Sequence, residues 1–236
     1  VVAAVSGGAG RQSCWRTAAD LPKVAAALRH VKAAEGLPEA APVLALGASS
    51  GGAFVGRLAG PLSAGGLPHL RCVVPQIMSV GGFPNRGVPA LFVHMPRDVH
   101  TAAEVREDVR ELAAAGVRVG EIRVEPVAVT PDLLGRCLAE GPAQDVAAAL
   151  QRHGLVDEQG YLLVDSRARR WVGVVRKALA GRSNDTLEPD ESCLAEVMNV
   201  AWAQHEMTSE HAEDILDFCE ERGKYSPGGG GAGGAR

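Results

Sequence analysis

The fold is decided by Leu44-Ala45-Leu46-Gly47-Ala48-Ser49-Ser50-Gly51-Gly52-Ala53, a short apolar run that enters a glycine-rich turn with a serine at its tip. The residues before Gly47 have the apolar character of a buried parallel strand. A serine on a strained strand-to-helix turn needs very small neighbours, because its hydroxyl is pushed toward solvent. Gly47 and Gly51 supply such neighbours on either side of Ser49. The stretch therefore predicts a strand, a tight turn and a helix, in that order.

The spacing of these residues, G-x-S-x-G, is that of a nucleophile elbow. It indicates a serine hydrolase with Ser49 as the nucleophile and Ser50 as the main alternative. The backbone N–H of the residue after the nucleophile normally stabilises the oxyanion, and this assigns that role to Ser50. The same small residues also suit a helix that packs closely on a sheet, or a phosphate-binding turn at a helix N-terminus.

Composition limits the class of protein before any other motif is considered. The 236 residues suit one large domain, or one domain with an insertion. With 46% hydrophobic residues the chain can bury a core. The formal charge of -4 argues against a general nucleic-acid binder. No apolar stretch approaches the roughly 20 residues of a membrane helix, so we predict a soluble protein without a membrane span.

Cysteine usage predicts a reducing environment. The chain has five cysteines, and no two of them are close in sequence: Cys14, Cys72, Cys137, Cys193 and Cys219. Neither a zinc site nor a disulfide framework follows from this spacing, so we expect an intracellular protein, cytoplasmic or organellar. The chain opens on Val1–Val5, already inside a predicted strand and without an initiator methionine, so a targeting signal is not observable.

Between its ends the chain alternates strands and helices. Apolar runs predict strands at 1–5, 43–46, 70–78, 89–95 and 117–129, and helical spacing predicts helices at 21–34, 53–62 and 101–115. Such alternation is typical of a mostly parallel sheet flanked by helices. The predicted fold class is therefore α/β. The glycine-rich tail at 226–236 cannot pack and is predicted to be disordered.

An aspartate follows the second strand after the elbow. Strand 89–95 leads through Pro96-Arg97 to Asp98 and then to a predicted helix at Thr101. With the elbow upstream, this arrangement resembles the α/β-hydrolase superfamily, in which nucleophile, acid and histidine follow in that chain order. The resemblance implies that Asp98 orients and stabilises a catalytic imidazole. The alternative is that Asp98 only caps the helix that begins near Thr101, a role for which aspartate is well suited.

The histidine is assigned by its position near the end of the chain. His205 precedes a predicted amphipathic helix at 212–219, and members of the superfamily commonly end in a histidine loop and a closing helix. Thr208 or Ser209 is expected to cap that helix. His100, close to Asp98, is the second choice for the base. His153 is predicted to end a separate helix and His211 to lie on a helix surface, while the alternative for His205 is an exposed loop residue near Glu206.

The spacing of these residues predicts an insertion. Ser49 and Asp98 are 49 positions apart, whereas Asp98 and His205 are 107 apart. Because long structureless loops are uncommon, we predict a cap-like subdomain with helices and a hairpin. The resulting domains are a core at 1–130, an insertion at 131–200, a histidine loop and closing helix at 201–225, and the tail at 226–236. Within the insertion, helices are predicted at 132–140, 142–153 and 171–180, and the hairpin at 155–164.

The sequence also allows two other functions, nucleic-acid binding by the insertion and binding without hydrolysis by the core. The insertion also resembles a winged helix, and six basic residues after its hairpin are candidates for phosphate contacts, although a solvated charged face explains them more simply: Arg167, Arg169, Arg170, Arg176, Lys177 and Arg182. In the superfamily, the first backbone N–H that stabilises the oxyanion comes from a loop after a strand that would precede Val1. The glycines Gly7–Gly10 are the candidate replacement for that donor in this sequence. A hydrolase fold that binds without hydrolysing is therefore the second hypothesis.

The favoured hypothesis is acyl transfer by Ser49, His205 and Asp98, with the N–H of Ser50 at the oxyanion. The expected substrate is a small molecule with an ester or thioester bond. Neither a metal nor an organic cofactor is implied by these residues.

Overall fold

A computed structural model describes residues 14–60, 67–82, 85–189 and 191–221. The predicted strand at 1–5, the glycines Gly7–Gly10 and the tail at 226–236 lie outside these residues. The chain divides into two compact units. The first comprises Val1–His94, Asp98–Arg123 and Met207–Arg236, and the second comprises Met95–Arg97 and Val124–Glu206.

The first unit is built on a sheet of four parallel strands. In chain order these are β1 (Val43–Ala48), β2 (Leu70–Gln76), β3 (Ala90–His94) and β4 (Val119–Arg123), and they lie side by side in the same order. The prediction of an α/β fold with a parallel sheet flanked by helices is confirmed. Strand β4 is shorter than the predicted 117–129, because its pairing with β3 ends at Arg123.

The helices of the described residues are α1 (Thr17–Ala34), α2 (Ser50–Leu58), α3 (Val99–Ala114), α4 (Pro131–Leu134), α5 (Glu140–Arg152), α6 (Val172–Leu179), α7 (Cys193–Trp202) and α8 (Ala212–Cys219). None of them combines the length and apolar character needed to cross a bilayer. Helix α2 begins directly after the turn at Ser49, three residues earlier than predicted. Helix α8 begins after His211, and Thr208 and Ser209 do not cap it. The hydroxyl of Thr208 instead accepts a hydrogen bond from the N–H of Glu210.

Helices cover both faces of the sheet in the first unit. Helix α2 packs on β1 and β2, and α3 packs on β3 and β4. Val73 of β2 and Phe92 of β3 belong to the buried cluster on this side. Cys72, the neighbour of Val73, points to the other face because successive strand residues alternate. There it is bonded to Cys219, which places α8 on the opposite face.

The second unit is mainly helical. Its core is formed by apolar residues of α4 to α7 and the segments between them, among them Leu150, Trp171 and Met198. The indole N–H of Trp171 donates to the carbonyl of Ser166 at 2.8 Å, which satisfies the buried polar atom of that ring. The predicted hairpin at 155–164 contains a single antiparallel bridge. Helix α4 is shorter than the predicted 132–140, because α5 begins at Glu140 after a break.

Two disulfides contradict the expectation drawn from cysteine spacing. Cys72 is bonded to Cys219 in the first unit and Cys137 to Cys193 in the second. The partners are 147 and 56 residues apart in sequence, and folding brings their Cα atoms to 5.5 and 5.7 Å. Long-range pairing leaves no local signal in the sequence, which is why the prediction was wrong. The basis for expecting a reducing compartment is lost with it.

We predict that the Cys72–Cys219 bond stabilises the first unit. Replacing both residues by alanine removes a cross-link that restricts the unfolded chain, and we expect a loss of about 3 kcal/mol in the free energy of unfolding. Urea denaturation followed by circular dichroism measures this value. Cys14→Ala is the matched control, because Cys14 is exposed and not in a disulfide. Peptide mapping without reductant that finds Cys72 as a free thiol would contradict the prediction.

Candidate active site

Ser49 occupies a strained turn between β1 and α2. Its backbone angles are φ 51° and ψ -122°, a region that residues with a side chain rarely adopt. Such strain costs on the order of 1–3 kcal/mol and persists only where surrounding structure enforces it. Here the N–H of Ser49 donates to the carbonyl of Gln76 at 3.0 Å, and its own carbonyl accepts from the N–H of Ala53 at 3.1 Å. The turn is thus held from both the sheet and the helix.

The glycines around Ser49 are not equivalent. A Cβ atom on Gly47 would lie 2.3 Å from the carbonyl oxygen of Gly51, a severe clash with backbone. A Cβ atom on Gly52 would lie 2.9 Å from the Cβ of Met78 and 3.0 Å from the carbonyl oxygen of Gln76. At Gly51 the nearest atom, Nε1 of Trp15, is at an ordinary 3.5 Å. The steric demand therefore falls on Gly47 and Gly52, whereas the sequence pattern had assigned it to Gly47 and Gly51.

Ser50 is the first residue of α2. Its hydroxyl accepts a hydrogen bond from the backbone N–H of Trp15 at 3.4 Å. The Trp15 ring stacks on Phe54 of the same helix, with centroids 4.5 Å apart. N–H groups in the first turn of a helix have no intrahelical partner. Within the part of the chain that the structure describes, no acceptor is found for the N–H of Ser50.

Asp98 lies at the N-terminus of α3, four residues after the end of β3. Its Oδ1 accepts a hydrogen bond from the N–H of Thr101 at 3.3 Å, so the capping role considered for this residue is present. Ser49 and Asp98 both follow strands at the carboxyl edge of the sheet, and β2 lies between those strands. Neighbouring strands are about 4.8 Å apart, so β1 and β3 are about 10 Å apart.

His205 belongs to the second unit, whereas Ser49, Ser50 and Asp98 belong to the first. The histidine is half-buried, and its backbone has a positive φ of 24°. It follows the last residue of α7 by three positions, after Ala203 in the left-handed conformation. Its carbonyl oxygen accepts a hydrogen bond from Nη2 of Arg167 at 2.7 Å. The convergence of the three predicted catalytic side chains stays a prediction.

The alternative histidines have other surroundings. His100 is 85% exposed and lies 3.4 Å from the carboxylate of Glu104 on its own helix. His153 is exposed at the end of α5. His211 precedes α8, and its Nδ1 is 3.1 Å from Oδ2 of Asp214. All three therefore have a surface position or a local partner.

Sequence reasoning missed His94, the last residue of β3. Its side chain is buried, and Nε2 lies 2.7 Å from Oε1 of Glu121 on the adjacent strand. Its Nδ1 has no hydrogen-bond partner among the described residues. A histidine inside the apolar run 90–95 was the signal available, because such a position predicts a buried ring that needs a polar partner.

The side chain of Gln76 binds the backbone of Thr208, three residues after His205. At the end of β2 its buried amide donates to the carbonyl of Thr208 and accepts from the N–H of Thr208, both at 3.3 Å. Both residues lie in the first unit. The sequence signal is a polar residue at the carboxyl end of an otherwise apolar strand.

Within the second unit, Arg97 contacts Trp202 and Ala203, which precede His205 in sequence. Its backbone N–H donates to the carbonyl of Ala203 at 3.2 Å, and its guanidinium lies 3.6 Å from the centre of the Trp202 ring. The buried Nη1 of Arg97 has no hydrogen-bond partner within the residues described. Burial lowers the pKa of this guanidinium, while the charge of Asp165 acts in the opposite direction. Segments 95–97 and 201–203 are therefore tied together.

The basic residues after the predicted hairpin include several ion pairs. The carboxylate of Glu188 raises the pKa of Arg169, and the guanidinium lowers the pKa of Glu188 in turn. Among the described residues, three of these basic residues have a carboxylate partner: Arg167 with Glu206 at 3.3 Å, Arg169 with Glu188 at 2.8 Å and Arg182 with Asp145 at 2.8 Å. These pairs are typical of a charged surface whose positive charges are already balanced.

Comparisons of the chain with protein-family models, with curated proteins and with solved structures return no match. The likeness to α/β hydrolases therefore rests on the parallel sheet and on the residues at its carboxyl edge.

We predict that Gly47 is required for folding and that Gly51 is not. Gly47→Ala forces a Cβ atom against the carbonyl of Gly51, and we expect a loss of about 3 kcal/mol in the free energy of unfolding. Gly51→Ala is the matched control, with an expected change below about 1 kcal/mol, because its Cβ makes only ordinary contact. Urea denaturation of both variants measures the two changes in the free energy of unfolding. Equal stability of the two variants would contradict the steric assignment.

Proposed function

We propose that the protein is a serine hydrolase of the α/β-hydrolase type that cleaves a small ester or thioester. Ser49 is the nucleophile, His205 the general base, Asp98 the acid, and the N–H of Ser50 an oxyanion donor. The single observation that carries the proposal is the backbone of Ser49, which is held at φ 51° and ψ -122° between a strand and a helix. A strained residue at this turn is what a nucleophile elbow requires.

The reaction proceeds in two steps. The imidazole of His205 accepts the hydroxyl proton of Ser49 while Oγ attacks the carbonyl carbon of the substrate. The tetrahedral intermediate collapses, the alcohol or thiol leaves with that proton, and the acyl group stays on Ser49. Water, deprotonated by the same imidazole, then releases the carboxylic acid and restores the hydroxyl. The carboxylate of Asp98 orients the imidazole and stabilises its charged form.

The placement of the chain around His205 supports this assignment. In the second unit the carbonyl of Ala203, two residues before His205, accepts a hydrogen bond from the N–H of Arg97. In the first unit Thr208, three residues after His205, is bonded to Gln76 at the carboxyl end of β2. Within each unit, the residues that flank His205 in sequence are therefore hydrogen-bonded to a neighbour. Pre-organised supports of this kind are what a catalytic base needs.

The identity of the nucleophile is tested by labelling with a fluorophosphonate probe. We expect the folded protein to be labelled, Ser49→Ala to lose labelling, and Ser50→Ala to keep it, because only Ser49 has the elbow conformation. In-gel fluorescence and mass spectrometry of the modified peptide provide the measurement. Loss of labelling in Ser50→Ala alone would move the nucleophile to Ser50. No labelling of the folded parent protein would favour the binding-scaffold hypothesis.

The role of Asp98 is tested by Asp98→Asn, because asparagine caps a helix about as well as aspartate does. If Asp98 is the acid, we expect unchanged stability and a loss of about 10⁴-fold in kcat, as for triads in which an amide replaces the carboxylate. Kinetics on the best p-nitrophenyl ester and a urea melt of the same sample separate the two roles. Full activity in Asp98→Asn would restrict this residue to capping.

The two disulfides support an oxidising compartment, such as the lumen of an organelle or the secretory pathway. An oxidising compartment replaces the reducing one that was expected from cysteine spacing. Of the two expected locations, cytoplasmic and organellar, the proposal keeps the organellar one.

A further inference from the structure

A cavity of about 310 Å³ opens within the second unit, and none of the residues assigned to hydrolysis lines it. Its volume is at the lower end of the range for small-molecule sites, about 300–1,000 Å³. The cavity lies between the 3₁₀ turn Ser166–Ala168, helix α7 and the segment around Leu187. Buried side chains of Trp171, Leu187 and Ala195 form its apolar wall.

The polar groups of this cavity are unbalanced in favour of donors. The side chain of Asn199 accepts a hydrogen bond from the Ser166 hydroxyl at 2.7 Å through Oδ1, and its Nδ2 has no acceptor among the described residues. Arg167 uses Nη2 for the carbonyl of His205 and the carboxylate of Glu206, which leaves Nε and Nη1 without an acceptor there.

Several acceptors in the cavity, in contrast, already have donors. The carbonyl of Ser166 accepts from the Trp171 indole, and the carbonyl of Leu187 accepts from Arg169. Oε2 of the lining residue Glu206 accepts from Arg167. A ligand that supplies acceptors is therefore matched to the donors of Asn199 and Arg167.

From these groups we infer that the cavity binds a small monocarboxylate with an apolar body. The carboxylate is placed between Nδ2 of Asn199 and the guanidinium of Arg167, and the apolar body lies against Leu187 and Ala195. Hydrogen bonds from a guanidinium to a carboxylate are among the stronger ones in proteins, and apolar contact adds to them. The inference is independent of the hydrolase proposal, because it concerns binding and uses none of the proposed catalytic side chains.

Binding at this cavity has a consequence for the histidine segment. Arg167 holds the carbonyl oxygen of His205 at 2.7 Å through Nη2, and the same guanidinium contacts the ligand. The carboxylate of the ligand and the carbonyl oxygen of His205 thus bind the same guanidinium, that of Arg167. Occupancy of the cavity therefore fixes Arg167 in the position that supports this segment.

The test uses hexanoate and hexanamide, which have the same apolar chain but differ in charge. Titrations are followed by two-dimensional ¹H–¹⁵N NMR, with the indole N–H of Trp171 as the reporter of the cavity wall. We expect hexanoate to shift this resonance with a dissociation constant at least about tenfold lower than that of hexanamide, since charged hydrogen bonds are worth that factor or more.

Asn199→Asp is the decisive variant, because it keeps an oxygen for the Ser166 hydroxyl and replaces the Nδ2 donors by a second carboxylate oxygen. We expect it to weaken hexanoate binding at least about tenfold. Gln151→Glu, on the exposed surface of α5, makes the same change in net charge and is the matched control with unchanged affinity. If Asn199→Asp does not fold, Arg167→Gln takes its place in the same comparison.

The inference is overturned if hexanoate and hexanamide bind equally, if neither shifts the Trp171 indole, or if the variant binds hexanoate as tightly as the parent protein. Failure here leaves fluorophosphonate labelling of Ser49 unaffected, so the two proposals are tested separately.

Discussion

The close approach of helix α2 to strand β1 constrains the rest of the first unit. The carbonyl of Gly51 passes so near Gly47 that no side chain fits between them, and Ser49 lies between these two glycines in a strained backbone conformation. The N–H of Ser49 continues the hydrogen bonding of the sheet to Gln76, and Gly52 packs on the same strand end. The strained turn is therefore held by contacts to β2 as well as by the helix that follows it.

Polar groups at the ends of the central strands organise the region around this turn. Gln76 at the end of β2 holds the backbone of Thr208, and His94 at the end of β3 is buried against Glu121. Parallel sheets concentrate such groups at their carboxyl edge, because the chain leaves every strand there. Ser49, Asp98 and these polar groups therefore lie at the same edge of the sheet, because its strands are parallel.

Local patterns were sufficient to predict the elements of the first unit. The glycine-rich turn at Ser49, the strand that ends before Asp98 and the helix after it depend on neighbours in sequence, so their order could be predicted correctly. Element ends were less accurate, since β4 stops where its partner stops and α2 starts directly at the elbow. The significance of Gly52 over Gly51 was not visible, because it depends on contacts with Met78 and Gln76, more than twenty residues away.

The α/β class and the strand-turn-helix that presents Ser49 could be predicted from local sequence, because apolar periodicity and glycine act over a few residues. The pairing of the cysteines, the contacts of Arg97 and Gln76, and the donors around the cavity of the second unit depend instead on long-range packing. Those features join residues that are 30 to 150 positions apart. Chain entropy opposes such contacts and the packed core enforces them, so no local pattern in the sequence records them.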